Sequence, residues 1–271
     1  MAIALAAPVL LAFALAAGSG CTVNPATGQQ EFTVVGPEQE AAMGRAEHPK
    51  ALEAFGGVYE EDIELNAYVA GVGARLRAVS ELEDQPFTFT VLDSPVVNAF
   101  ALPGGYVYVT RGLLALAATE AELAGVLAHE IGHVTARHTA QRVTTGLFAS
   151  LGAAVLGAAT GNQAVADLAQ VGAAAYVQSF SREQELEADT LGVRYLVRAG
   201  YDPRAMASFL RSLELHGVFE ATLAGREGRE PEASLFASHP RTAERIVLAT
   251  DAAIAESGLA DEPFVGRDVH L

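Results

Sequence analysis

A run of apolar residues that carries two histidines constrains this chain more than any other feature of its sequence. Thr119 and Glu122 form a capping-box pattern ahead of the run, so a helix is predicted to begin there. The apolar positions then recur at helical spacing and are Leu123, Val126, Leu127, Ile131 and Val134. His129 and His133 are four positions apart, which places both on one face of the predicted helix.

The two histidines fit either a metal site or an amphipathic helix that happens to carry histidines. The apolar neighbours indicate a buried helix, and burying an unpaired His-Glu-His set is costly, which favours the metal site. Zinc takes imidazole ligands at about 2.0–2.1 Å. Glu130 projects about 100° around the helix from His129, so it can reach a water beside the metal and act as general base.

A catalytic zinc needs a third protein ligand, and the acidic stretch 181–189 offers candidates. Glu185 is the predicted ligand, and Asp189, one turn later, is placed to accept a hydrogen bond from a ligand histidine. The alternative is an ordinary acidic helix face in solvent. Glu187 lies about 200° from Glu185 and cannot point at the same ion. His138, five residues after His133, is predicted to be exposed.

The beginning of the chain resembles an export signal. Residues 1–20 carry no charge, and an apolar run leads to Cys21, the sole cysteine, which rules out an intramolecular disulfide. We therefore expect 1–20 to be a signal peptide and Cys21 to carry a lipid, although Gly18 stands where the lipoprotein motif usually has leucine. The alternative is an uncleaved anchor. Both place the rest of the chain outside the cytoplasm, and Thr22 after the cysteine favours the outer membrane.

The remainder of the chain is predicted to form a tether followed by one domain. Residues 22–37 carry turn chemistry and little periodicity, so they are predicted to be the tether, and 38–271 the domain. The uncharged stretch 143–166 predicts a hydrophobic helical hairpin, with a membrane span as the alternative. The net charge of −16 excludes a nucleic-acid partner, because phosphate binding needs a basic surface.

Periodicity predicts an α+β fold that is mostly helical. Two helices are expected within 38–82, and period-two alternation predicts a strand at 87–92. A Pro-Gly-Gly turn precedes another predicted strand at 106–109, and the small sheet is expected to be antiparallel. Later helices are predicted at 183–197, from 202 onward and at 242–257.

The quoted motifs resemble those of a known family. HEIGH at 129–133 and ELEAD at 185–189 resemble the zinc metalloproteases of the CaaX prenyl protease and HtpX type, peptidase family M-48. The most similar branch is the periplasmic, lipoprotein-like one of BepA and LoiP type. The resemblance implies a zincin-like fold and one Zn²⁺ per chain. The implied zinc ligands are His129, His133 and Glu185, and the implied catalytic base is Glu130.

The resemblance also assigns roles to residues outside the two motifs. Asp189 and Arg245 match supporting residues, and His239 matches a His-Pro motif whose histidine lies near the metal and can gate activity. For His239 the alternative is a helix-capping surface residue. The predicted substrate-side segment contains Asn98, Gly104, Gly105 and Tyr106, and an extended peptide is expected to add a strand beside 106–109.

Together these features predict a zinc-dependent endopeptidase of the cell envelope, acting from the periplasmic side on unfolded or misassembled envelope proteins. An alternative from another class is a chaperone-like scaffold lipoprotein that assists outer-membrane assembly and cuts rarely. The intact Glu130 argues against the scaffold, because a structural zinc site needs no base. A third interpretation is a non-peptidase metallohydrolase on the same fold.

Overall fold

The computed structural model describes residues 21–160, 167, 179–225, 239 and 243–256. Most of these residues are helical, which confirms the predicted fold class. The elements follow in chain order: β1 (Cys21–Val23), β2 (Gln30–Phe32), α1 (Pro37–Ala54), α2 (Ile63–Arg77), β3 (Thr88–Leu92), β4 (Ala99–Leu102), β5 (Tyr106–Thr110), α3 (Arg111–Leu116), α4 (Glu120–Thr135), α5 (His138–Thr160), α6 (Arg182–Arg198), α7 (Arg204–Leu223) and α8 (Ala243–Glu256).

The larger sheet has three strands in the order β3-β5-β4. β4 pairs with β5 in the antiparallel direction, as predicted for the small sheet, and β1 pairs with β2 in the same direction. β3 runs parallel to β5 instead, with Thr88 opposite Tyr106. The reason is topological: β4 and its turn intervene between the two strands, so the chain re-enters β5 in the direction of β3.

Helices cover the sheet and enclose α4. α1 lies on one face, where Phe55 contacts Phe100 with ring centroids 5.0 Å apart and His48 stacks on Tyr106 at 4.9 Å. Gly44 allows this approach, because a Cβ there would lie 1.8 Å from the carbonyl oxygen of Pro103. α4 packs against α2, α6, α7 and β4, and all of its residues up to the second histidine are buried. The predicted active-site helix is therefore the centre of the core.

The segment 22–37, predicted as a tether, is folded against the body. It forms the β1–β2 pair, and Asn24 Nδ2 donates to the carbonyl of Ala136 at 3.4 Å. The backbone N–H of Val34 donates to Thr144 Oγ1 at 3.0 Å. The turn residues that suggested a tether therefore close a short hairpin, which contacts the C-terminal end of α4 and the start of α5.

The predicted hydrophobic hairpin is only partly within the described residues. α5 accounts for its first arm, while 161–166 and most of the residues that follow lie outside the described ranges. Within the described part of the chain, no helix combines the length and the apolar character that crossing a bilayer requires. Residues 1–20, predicted as the signal peptide, also lie outside the described residues.

Candidate metal centre

Two helices supply the predicted ligands. α4 is capped by Thr119, whose side chain accepts the backbone N–H of Glu122, and it carries His129 and His133 near its C-terminal end. α6 is capped by Ser181 and carries Glu185 in its first turn. All three ligand side chains are buried. The capping side chains of Thr119 and Ser181 define the residue at which each helix begins. The position of each ligand along its helix is therefore defined as well.

The three side chains converge on one point. His129 Nε2 and His133 Nε2 are 3.0 Å apart. Glu185 Oε1 lies 3.4 Å from His133 Nε2, and Glu185 Oε2 lies 3.6 Å from His129 Nε2. Two ligands bound to one tetrahedral zinc at 2.0–2.1 Å are about 3.3 Å apart. The spacing and the donor set of two imidazoles and a carboxylate therefore fit a zinc-sized ion.

His239 joins this cluster, as the motif resemblance implied. It is buried, and its Nδ1 lies 3.3 Å from His129 Nε2 and 2.9 Å from Glu185 Oε1. Ligand atoms of the four residues all lie within 4.8 Å of one another. His239 is therefore placed where a fourth ligand would complete the site, and it is not a helix-capping surface residue.

Glu130 lies beside the cluster without belonging to it. Its side chain is 1% exposed, and neither carboxylate oxygen has a hydrogen-bond partner among the described residues. His239 Nε2 is 3.6 Å from Glu130 Oε1. A buried carboxylate with unsatisfied oxygens is costly unless a water or a substrate completes its hydrogen bonds, so Glu130 has the surroundings of a general base.

A buried ion pair supports the first histidine. Asp189 Oδ1 lies 2.9 Å from His129 Nδ1, and Arg245 binds both carboxylate oxygens of Asp189 at 2.7 and 2.8 Å. Arg245 Nη1 also lies 2.5 Å from Glu185 Oε2. A carboxylate on the far nitrogen of a ligand histidine fixes the tautomer and orientation of the ring. Both predicted supporting residues therefore lie at the site.

The surroundings keep the ligands in their binding forms. Burial holds the pKa of His133 well below its usual range, which keeps the imidazole neutral. Burial alone would raise the pKa of Glu185, but the charges of His239 and Arg245 hold that pKa well below its usual range. A neutral imidazole and an ionised carboxylate are the forms that ligate a cation.

The prediction that His138 is exposed is wrong. Its side chain is fully buried, with Nδ1 2.8 Å from His133 Nδ1 and Nε2 3.2 Å from Glu187 Oε2. The prediction extended the α4 helix through His138, whereas α4 ends at Thr135 and Arg137 has a φ of 55°. This turn directs His138 back toward the site, and no Gly or Asn marks it in the sequence.

Phe180 is a second residue that the sequence did not point to. Its ring stacks on His133 with centroids 3.8 Å apart and lies 5.1 Å from the ring of His239. It precedes α6 and carries no motif. Phe180 shields two imidazoles of the cluster from water on one side, which strengthens the electrostatic interactions among them.

A groove of about 350 Å³ opens beside the cluster, lined by Val23, Glu40, Ala101, Gly104, His133 and Arg137.

The expectation that a peptide adds beside 106–109 is wrong, because β5 is the central strand and both of its edges are paired. β4 is an outer strand whose far edge pairs with no strand in the described part of the chain, and it contributes Ala101 to the groove. Of the predicted substrate-side residues, Gly104 lines the groove, Asn98 is buried and Tyr106 stacks on His48 under α1.

Comparison with known proteins identifies the family. The profile of Peptidase family M48 matches residues 62–253, a range that contains every residue of the cluster. The chain belongs to peptidase family M48. It is 33% identical to the beta-barrel assembly-enhancing protease of Escherichia coli (strain K12) over 198 residues, 70% of this chain and 39% of that protein. It is 33% identical to the mitochondrial metalloendopeptidase OMA1 of Arabidopsis thaliana over 183 residues, 67% of this chain and 35% of that protein.

Another M48 relative is more similar in length. The mitochondrial metalloendopeptidase OMA1 of Schizosaccharomyces pombe (strain 972 / ATCC 24843) is 30% identical over 226 residues, 82% of this chain and 63% of that protein. The chain thus spans between about a third and two thirds of the length of these relatives. The buried His-His-Glu-His cluster lies within the range matched by the M48 profile and is the candidate metal site of the chain.

Proposed function

We propose that this M48 metallopeptidase is a zinc-dependent endopeptidase of the gluzincin type, with His129, His133 and Glu185 as the ligands of one Zn²⁺. The observation that carries the proposal is the convergence of these three side chains beside Glu130, whose buried carboxylate has no partner among the described residues. Three protein ligands and an adjacent base are what a catalytic zinc site requires, whereas a structural site is closed by four ligands.

The chemistry divides between the metal and the protein. A bound zinc supplies Lewis acidity, which acidifies water and polarises the scissile carbonyl. Glu130 accepts the proton of the attacking water and then delivers it to the leaving amine, so the same carboxylate acts as base and as acid. Asp189 holds His129 in the tautomer that keeps Nε2 free, and Phe180 excludes water from one side of the ligands.

His239 has two roles in this proposal. With Nδ1 among the ligand atoms, His239 would fill the open position of a bound ion that a substrate carbonyl needs, and it would thereby gate the site. When the side chain turns away from the ligands, the position opens, and an imidazole close to the reacting carbonyl can donate a hydrogen bond to the developing oxyanion. Activation of the enzyme then requires the His239 side chain to leave the ligand atoms.

The substrate is proposed to bind as an extended strand along β4. Thr110 N donates to the carbonyl of Asn98, so the hydrogen-bonded pairs on the β5 side recur at Phe100 and Leu102. The backbone groups of Ala99 and Ala101 therefore point to the free edge. Backbone pairing tolerates many sequences, which suits unfolded or misassembled proteins as substrates.

The proposed location is the cell envelope. The uncharged stretch 1–20 before Cys21 supports export and a lipid anchor on the periplasmic side, with the outer membrane favoured. One M48 relative is named a beta-barrel assembly-enhancing protease, which is consistent with misassembled envelope proteins as substrates. The scaffold alternative shares this location and differs in having little protease activity.

Cleavage of casein by the purified protein with zinc, beside its Glu130→Gln form, tests the proposal. We expect the wild type to cut and the variant to lose about 10²- to 10⁴-fold in rate, because acid-base catalysis contributes that much, while both bind zinc. Equal cleavage by both forms would remove Glu130 from the mechanism. Zinc binding without cleavage by either wild type or His239→Ala would favour the scaffold.

A further inference from the structure

His133 and His129 each have a far nitrogen, Nδ1, that points away from the cluster. Different groups contact the two Nδ1 atoms. Asp189, on the far nitrogen of His129, is a buried carboxylate clamped by Arg245. The far nitrogen of His133 meets no carboxylate directly. His133 Nδ1 faces His138 Nδ1 at 2.8 Å, and His138 Nε2 faces Glu187 Oε2 at 3.2 Å.

The direction of these hydrogen bonds follows from the ligand atom of His133. Because Nε2 points into the cluster and must be free of a proton to bind a cation, Nδ1 of His133 carries the proton and donates it. His138 must then accept at Nδ1, so its own proton is on Nε2. That proton points at Glu187, and a carboxylate oxygen can only accept.

We propose that His138 and Glu187 are positioning residues for the metal centre, acting as a two-step relay that fixes the tautomer and ring orientation of His133. The proposal rests on the metal site proposed above. A ligand histidine usually donates a hydrogen bond directly to a carboxylate. Here the imidazole of His138 lies between His133 and the carboxylate of Glu187, so two hydrogen bonds in series orient His133.

The fold positions the relay through the end of α4. Arg137 adopts a φ of 55°, a conformation that costs energy for any residue with a side chain. Its guanidinium pairs with Glu40 at 2.6 Å and donates to the carbonyl of Val35 at 2.9 Å, and these contacts hold the turn. His138 follows at once as the first residue of α5, buried beneath the turn and aimed at His133.

The relay ends nearer to solvent than the support of His129 does. The Glu187 side chain is 33% exposed, whereas the Asp189 side chain is 3% exposed and bound to Arg245. A partly solvated carboxylate holds its partner less firmly than a buried ion pair does. We therefore expect the imidazole of His138 to contribute most of the support and Glu187 a smaller part.

Zinc affinity of the full chain, measured by competition with a chromophoric chelator, tests the relay. His138→Phe keeps a planar ring and removes the acceptor, and it should weaken zinc binding by about 10- to 100-fold. His138→Asn places an acceptor oxygen where Nδ1 was, and it should recover most of that loss. Glu187→Ala should show a smaller loss. Glu183→Ala, an exposed carboxylate on the same helix, is the matched control and should bind as the wild type does.

Spectra of the cobalt-loaded proteins separate positioning from packing. A changed ligand orientation alters the visible absorption of bound Co²⁺, so His138→Phe should shift the spectrum, while His138→Asn should restore it. Wild-type affinity and spectrum in both His138→Phe and Glu187→Ala would overturn the relay. So would a His138→Asn protein as impaired as His138→Phe, since packing alone would then explain the effect.

Two controls keep the result independent of folding and of the proposed function. Thermal unfolding of the metal-free proteins shows whether His138→Phe is folded, and Glu187→Ala tests the relay at a partly exposed position if it is not. His133→Ala must lose zinc if the metal site is as proposed. A wild type that binds no zinc would refute the site and the relay together, whereas zinc binding that depends on His133 and not on His138 would refute the relay alone.

Discussion

At the scale of single residues, Arg245 is the cation that allows two carboxylates to be buried at the site. It contacts both oxygens of Asp189 and one oxygen of Glu185, and all three side chains are nearly inaccessible to solvent. Burial lowers the pKa of an arginine, but the charges of Asp189 and Glu185 outweigh it and raise the pKa of Arg245. The guanidinium therefore stays charged and balances the site when no metal is bound.

Replacing this arginine should destabilise the metal-free protein. Arg245→Leu leaves the buried Asp189 carboxylate without a cation and leaves Glu185 with His239 alone, and we expect a loss of about 3–5 kcal/mol in the free energy of unfolding, measured by denaturant titration. The loss should be smaller with zinc bound, since the ion supplies positive charge. Arg182→Leu removes an exposed pair with Glu244 and is the control, with no measurable change expected. Equal effects of the two substitutions would contradict this account.

The sequence could predict the ligands better than the residues that support them. Positions i and i+4 on one helix define His129 and His133, and the ELEAD motif adds Glu185 and Asp189, because each spacing is local. His138 and Phe180 were missed because their positions depend on a turn at Arg137 and on the path of the chain before α6. Neither feature leaves a pattern in the neighbouring residues.

At the scale of elements, β4 is the strand that offers a free edge beside the metal cluster. Its ladder to β5 uses Phe100 and Leu102, so Ala101 contributes nothing to the sheet through its backbone. Ala101 also lines the groove with His133, so on the proposed binding mode its N–H would pair with an extended peptide. Edge strands tolerate proline at such positions.

Removing that N–H should weaken substrate binding and leave the fold intact. We expect Ala101→Pro to lower kcat/KM for a fluorogenic peptide by about 3- to 10-fold, mainly through KM, since one backbone hydrogen bond contributes about 0.5–1.5 kcal/mol. Ala101→Ser keeps the N–H and serves as the control. A proline variant with unchanged KM would show that substrates do not pair with this edge.

Helices and strands could be predicted where the sequence pattern of neighbouring residues determines them. The helix α4 follows from its cap and its apolar spacing, and the predicted strand 87–92 contains β3 as observed. The parallel pairing of β3 with β5 and the folding of 22–37 onto α4 were not predictable. Both depend on contacts between residues far apart in the chain, such as Asn24 with Ala136. The periodicity of neighbouring residues carries no information about such contacts.

At the scale of the whole molecule, the metal site joins parts of the chain that are distant in sequence. Two of the proposed ligands come from α4 and one from α6, and His239 lies 110 residues beyond His129. Zinc bound to all of them would therefore cross-link the core, and metal binding would stabilise the folded state. The site is accordingly a part of the fold and not an addition to its surface.

The measurement that tests this account most directly is the zinc content of purified protein after dialysis, compared among ligand variants. We predict one zinc per chain for the wild type and for Glu130→Gln, and a large loss for His133→Ala and for Glu185→Ala. A matching rise in the unfolding temperature should accompany zinc only in the proteins that bind it. Full zinc occupancy in His133→Ala and Glu185→Ala, or none in the wild type, would contradict the account.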